Sequence, residues 1–81
     1  MSYALKVSDY NAFVKAYYVD SKAKDNHVHV VYTDKPDLAL TFDDIEEAAL
    51  HFMFIWSNAS RTDSAVNSIC IAEAQTYYKE I

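Results

Sequence analysis

Between Thr41 and Ser57 the chain reads TFDDIEEAALHFMFIWS, and apolar residues recur there at helical spacing. Ile45, Ala48, Ala49, Phe52, Met53 and Trp56 share one face, with Ile55 on its flank, so that face is the expected core side. Leu50 and Phe54 sit one turn apart on the other side, among Asp43, Glu47 and His51. A surface helix needs a single apolar stripe, so this smaller second one calls for a partner or a covering segment. Two starts are compatible with the sequence. Thr41 as N-cap would place Asp44 at the third helical position, a variant of the capping box, and would let Leu40 pack on Ile45; Asp43 as N-cap would give that position to Glu46. Either start leaves Asp43, Asp44, Glu46 and Glu47 in the first turns, where the helix dipole favours negative charge.

Elsewhere the pattern favours strands. Tyr3–Val7 (YALKV) reads as a short strand closed by the turn-prone Ser8-Asp9-Tyr10-Asn11. Ala12–Val19 (AFVKAYYV) is rich in aromatic and β-branched residues and reads as a second strand. A helix capped by Ser8 is its rival; the polar run Asp20–Asn26 favours the strand, because it makes a natural hairpin loop. His27–Thr33 (HVHVVYT) alternates most clearly, Val28, Val30 and Tyr32 against His27, His29, Val31 and Thr33. Asp34-Lys35-Pro36-Asp37 is a turn, and Leu38–Thr41 a brief extended lead-in to the helix. Without glycine, Asn58 is the residue expected to end the helix in a left-handed conformation. Ser64–Ile81 has two readings. As a helix it would be capped by Asp63 with Val66, Ile69, Cys70 and Tyr77 on one face; as a strand it would run from about Ser68 to Lys79, beside the hairpin. The strand is preferred. The expected fold is thus α+β: a small antiparallel sheet of three to four strands packed on one main helix, in a single domain spanning residues 1–81.

Composition narrows the function more by exclusion than by signature. Of the 81 residues 52% are hydrophobic and 15% aromatic, a large apolar supply for so small a volume, which favours a dense core or association. Burial alone stabilises a chain of this size by only about 3–5 kcal/mol. The formal net charge of −5 argues against direct nucleic-acid binding, whose affinity comes largely from cationic contacts to phosphate. There is no glycine, which removes the P-loop, the dinucleotide fingerprint, the nucleophile elbow and the EF-hand loop. A single cysteine, Cys70, rules out an intramolecular disulfide. No apolar run reaches membrane-spanning length, and the start MSYALKVSDY has no signal-peptide pattern; the expectation is a cytoplasmic chain with no membrane association.

The chemical candidates are few. His27 and His29 share a strand face at a spacing that suits zinc or copper, with His51 as a conceivable third ligand. Two histidines on a solvent face explain the same spacing more simply, and no further ligand cluster supports a metal. Cys70, between Ile69 and Ile71, reads as a buried inert thiol, and the Asp43-Asp44 pair is accounted for by capping. No catalytic residue and no cofactor are expected. Tyr17-Tyr18 and Tyr77-Tyr78 should each send one ring inward and one outward. The outward rings, taken as Tyr18 and Tyr78, would join Leu50 and Phe54 in an aromatic binding surface, since Tyr is favoured where interfaces are anchored. Asp20, Asp25, Asp34 and Asp37, with the acids at the helix start, also allow nucleic-acid mimicry, although an ordinary solvated surface explains them.

The segment Leu38–Ala48, LALTFDDIEEA, following a hairpin and Pro36-Asp37, resembles the strand-to-helix junction of short α+β proteins of bacteriophages and mobile elements. That group includes inhibitors of host enzymes and of defence systems, among them anti-CRISPR and anti-restriction proteins. The resemblance is one of structural pattern and carries over no residue. It implies stoichiometric binding to a protein partner without cofactors. The expected surface is therefore Leu50 and Phe54 with Asp43, Asp44, Glu47, His51, Tyr18 and Tyr78. A homodimer seam at the same place is the alternative.

Overall fold

Alternating strands that bury an apolar face need a cover, and a helix provides it. The computed structural model describes residues 2–8, 11–20, 22, 28–59, 65–74 and 79–80. Its strands are β1 (Ser2–Val7), β2 (Ala12–Val19), β3 (Val28–Thr33), β4 (Thr41–Phe42), β5 (Ile69–Ala74) and β6 (Lys79–Glu80), with α1 spanning Ile45–Asn58. The sheet order is β3-β2-β1-β5-β6, and all of these neighbours are antiparallel. The sheet-on-helix architecture is the one expected. The strand number exceeds three to four because two-residue strands, β4 and β6, add to the sheet.

β1 is the central strand. It pairs along its whole length with β5, from Ser2 opposite Ala74 to Val7 opposite Ile69. Its other edge is shared: Lys6 and Val7 pair with β2, while Tyr3 and Ala4 pair with β4. The sheet forks there because the β2 register shifts between Val14 and Ala16, so that exposed Lys15 is an extra residue that bends the strand. The chain before β4 closes the fork, with the Leu40 amide donating to the Val14 carbonyl at 2.9 Å.

Register then sorts the side chains. Leu5, Val7, Val14, Val28, Phe42 and Ile69 join Ala48, Ile55 and Ala59 of the helical segment in one core, closed by Val66. These residues cover one face of the sheet. On the other face Ala4, Phe13 and Ala72 are buried as well.

Several expectations need correcting. The helix begins later than either expected start, with Asp44 as N-cap accepting from the Glu46 amide at 2.8 Å. Thr41 cannot cap because it is a strand residue, paired to Ala4. The turn expected at Asp34–Asp37 is present as a 3-10 turn, Pro36–Leu38, helped by proline's fixed φ, and only Leu38 is lost from the extended lead-in. The helix also ends without a left-handed residue. The Asn58 side-chain amide donates to the Phe54 carbonyl at 2.8 Å, and extended Ala59 bridges to Val28. At the C-terminal end, the single strand from Ser68 to Lys79 is replaced by a 3-10 turn (Val66–Ser68), β5 and an antiparallel β6. β5 lies beside β1 rather than beside the hairpin.

The buried helix face is turned by roughly 60–70° from the one expected, at about 100° per residue. Ala48 and Ile55 are the buried residues of α1, whereas Ile45 and Met53 are exposed. The reason is size. Ala48 has no accessible surface left, and its small side chain lets the helix approach the sheet closely. The contact stripe therefore runs through Ala48, with Ile55 and Ala59 on the same side, and leaves Ile45 and Met53 outside it.

Candidate functional site

The rotation of α1 brings His51 onto the sheet side and leaves Leu50, Met53 and Phe54 outside. His51 is half-buried, with its ring 4.7 Å from that of Phe42 and 5.8 Å from that of Tyr17. The Tyr17 hydroxyl is hydrogen-bonded to His51 Nδ1, donating to it when the imidazole carries its proton on Nε2. This bond ties the middle of α1 to β2. Tyr17 also packs against Phe54, with ring centroids 5.8 Å apart. Burial pushes the Tyr17 phenol above its ordinary pKa, because a phenolate would be poorly solvated there.

Tyr17, Leu50, His51 and Phe54 line a shallow open recess of about 230 Å³. Leu50 is 68% exposed and Phe54 42%, and Met53 adds further apolar surface on the next turn at 61%. Glu46, Glu47, Asp43 and Asp44 lie exposed at the N-terminal end of the same helix. Exposed apolar side chains are ordinary singly; several contiguous on one helix are not. Chemically the recess offers apolar surface from Leu50 and Phe54, one imidazole and one phenol.

The structure brings together Leu50, Phe54 and His51 from the expected surface, with Asp43, Asp44 and Glu47 at its end. Tyr18 belongs elsewhere. Tyr17 points toward α1, so its strand neighbour Tyr18 faces the opposite side of the sheet, where its ring stacks on His29 at 5.2 Å. Tyr78 and His27 lie outside the described residues. His29 is exposed, and its Nε2 lies 3.3 Å from Asp20 Oδ2. His51 is on the helix side and His29 on the far side, so the two cannot meet at one metal. Among the described residues no group of three or more His, Cys, Asp or Glu is placed to hold a metal ion. Cys70 is half-buried rather than buried, facing away from α1 opposite Lys6.

Two residues at the recess depart from expectation: the spacing puts Tyr17 among the inward rings and Met53 on the buried helix face, whereas Tyr17 lines the recess and Met53 is exposed. Tyr17 had a signal: the inward ring of a tyrosine pair on a strand beside a helix carries its hydroxyl at the edge of the core, where it needs a polar partner. Met53 had none, because its exposure follows from the helix rotation.

Among the described residues no helix is long and apolar enough to cross a membrane. Comparison of the chain with protein-family models, with curated proteins and with solved structures finds no match.

Proposed function

We propose that this chain is a small non-enzymatic protein-binding module, of the inhibitor type found in bacteriophages and mobile elements, acting by steric occlusion of a host enzyme or defence complex. The observation that supports this reading is the exposed Leu50–Phe54 pair on a helix whose inner face is already occupied by the sheet. Binding energy at protein interfaces concentrates in a few large anchors surrounded by contacts that exclude water. Leu50, Phe54 and the Tyr17 ring supply such anchors in one place, on a frame held by the Tyr17–His51 bond. Occlusion requires no cofactor and no metal. The site of action under this reading is the host cytoplasm.

The test uses Leu50→Asp and Phe54→Asp, both placed on exposed positions. Each variant is expected to fold as the wild type does and to lose a partner captured from host lysate. Unchanged capture by both overturns the assignment. The same pair of residues would also serve as a seam between two copies, in a structural or accessory subunit without inhibitory role. Sedimentation equilibrium separates the two readings: a monomer at high concentration leaves the seam without support.

A further inference from the structure

We propose that the partner segment seated on the Leu50–Phe54 recess is cationic and amphipathic: an apolar side chain enters the recess, and Lys or Arg one to two helical turns away faces Glu46 and Glu47. This inference rests on the docking reading above and names the chemistry of its occupant. Two features of α1 lead to it.

The first is the segregation of the outer helix surface along its length. Glu47, Leu50 and Phe54 follow one another at spacings of three and four, so they share a stripe. At about 1.5 Å per residue, the Glu47 carboxylate stands on a turn about 5 Å along the axis from Leu50 and about 10 Å from Phe54. The recess lies at one end of the stripe and negative charge at the other. A ligand that covers both must be apolar at one end and positive at the other.

The second is the charge balance of the segment. Thr41–Asn58 contains Asp43, Asp44, Glu46 and Glu47, and neither a lysine nor an arginine. All four acids are exposed. Asp44 is engaged as N-cap, and the ion pair of His29 with Asp20 lies on the other face of the sheet. The positive end of the helix dipole, worth about half an elementary charge, offsets only a small part of this excess. The surface that α1 itself presents beside the recess is therefore net negative, and opposite charge on a partner would both speed encounter and set its direction of docking.

The same balance disfavours the other occupants. A second copy carries the same net charge of −5, and its α1 has no cation anywhere along it to set against Glu46 and Glu47. Nucleic acid and anionic lipid would meet like charge. A basic amphipathic segment fits both halves of the stripe, in the manner of a helix laid along a groove.

The experiment compares three synthetic helical peptides with an identical Leu/Phe face, flanked by Lys and Arg, by Gln, or by Glu, each titrated against the full chain by fluorescence anisotropy. The wild-type chain is expected to bind the cationic peptide at least about tenfold more tightly than the Glu peptide, with the Gln peptide between them. Raising the salt from about 0.02 M to 0.3 M should shrink that preference several-fold, since exposed charges are then screened. Glu46→Gln with Glu47→Gln should reduce the preference to about twofold or less while leaving binding of the Gln peptide unchanged. Leu50→Asp should abolish binding of all three.

Equal binding of the cationic and Glu peptides overturns the inference, as does a charge preference that survives Glu46→Gln with Glu47→Gln. Failure of the wild-type chain to bind the cationic peptide overturns it too, and so does self-association that disappears in Leu50→Asp. The underlying docking reading fails on a different result, namely retention of a native partner by both Leu50→Asp and Phe54→Asp.

Discussion

Phe54 and Ile55 are consecutive, large and apolar, yet Ile55 is 1% exposed and Phe54 42%. The two sides of α1 to which they belong differ in what faces them, more than in what they are made of. Ile55 lies in the core that α1 shares with β1 and β5, and its burial stabilises the fold by about 1.5–3 kcal/mol. Phe54 meets Tyr17 on one flank and is otherwise open, together with Leu50 and Met53. Hydrophobicity alone thus separates core from surface poorly on this helix. The place of each residue around the close approach at Ala48 decides it.

The sharpest way to break the comparison is at Ile55. Ile55→Ala should destabilise the chain by about 2–5 kcal/mol, through lost transfer energy and the cavity left behind. For a domain of this size that approaches the whole folding free energy, about 3–5 kcal/mol. Urea unfolding followed by circular dichroism checks it, and a loss below about 1 kcal/mol would mean that Ile55 is not a principal contact between helix and sheet.

The same contrast explains which parts of the fold could be read in advance. β2 and β3 were readable because both show strand composition or period-two alternation, and because Asp20 ends β2 in a loop-forming run. The existence of α1 was readable from its 3.6-residue period, and Leu50 and Phe54 from their place off the main stripe. Its rotation was not, because the close approach at Ala48 depends on the sheet opposite it. The cap at Asp44 was hidden for a similar reason: Thr41 is a good capping residue until β1 claims it for a strand. Likewise Tyr17 and His51 are distant in sequence, and only pairing of the strands and seating of the helix bring them to hydrogen-bonding distance.

The helix start offers the next test. Asp44→Ala removes the acceptor of the Glu46 amide and should cost about 1 kcal/mol, whereas Thr41→Ala, at a strand position, should not act through capping. Equal loss of helix content in both variants, measured by circular dichroism, would place the cap elsewhere.

Tyr17 stands at the boundary between the two sides. Tyr17→Phe keeps the ring and removes the bond to His51, so the expected loss at neutral pH is about 0.5–1.5 kcal/mol. Its pH dependence has a definite sign. Burial raises the folded-state pKa of Tyr17 above its ordinary value of 10.0, so the folded chain holds a proton that the unfolded chain has released. This contribution is complete below pH 10.0 and is lost as the pH rises through the raised folded-state value. Urea midpoints measured from neutral pH to about pH 11 should therefore fall less steeply for Tyr17→Phe than for the wild type. Parallel alkaline limbs would show that Tyr17 is as solvated folded as unfolded.

The smallest effect on stability is expected where the effect on binding is largest. Leu50→Asp exchanges a 68%-exposed side chain for a weaker helix former, and should change stability by no more than about 0.5 kcal/mol. Leu50 removes little surface from water in the folded chain, so its loss deprives the core of nothing. It also stands two turns beyond the Asp44 cap, clear of the bond that starts the helix. Urea unfolding is the check. A loss above about 1.5 kcal/mol would show that Leu50 is a fold residue after all, and would move it from the open side of the helix to the side of Ile55. A near-neutral result would leave Leu50 large, apolar and exposed without a role in stability, the combination that a surface used for docking requires.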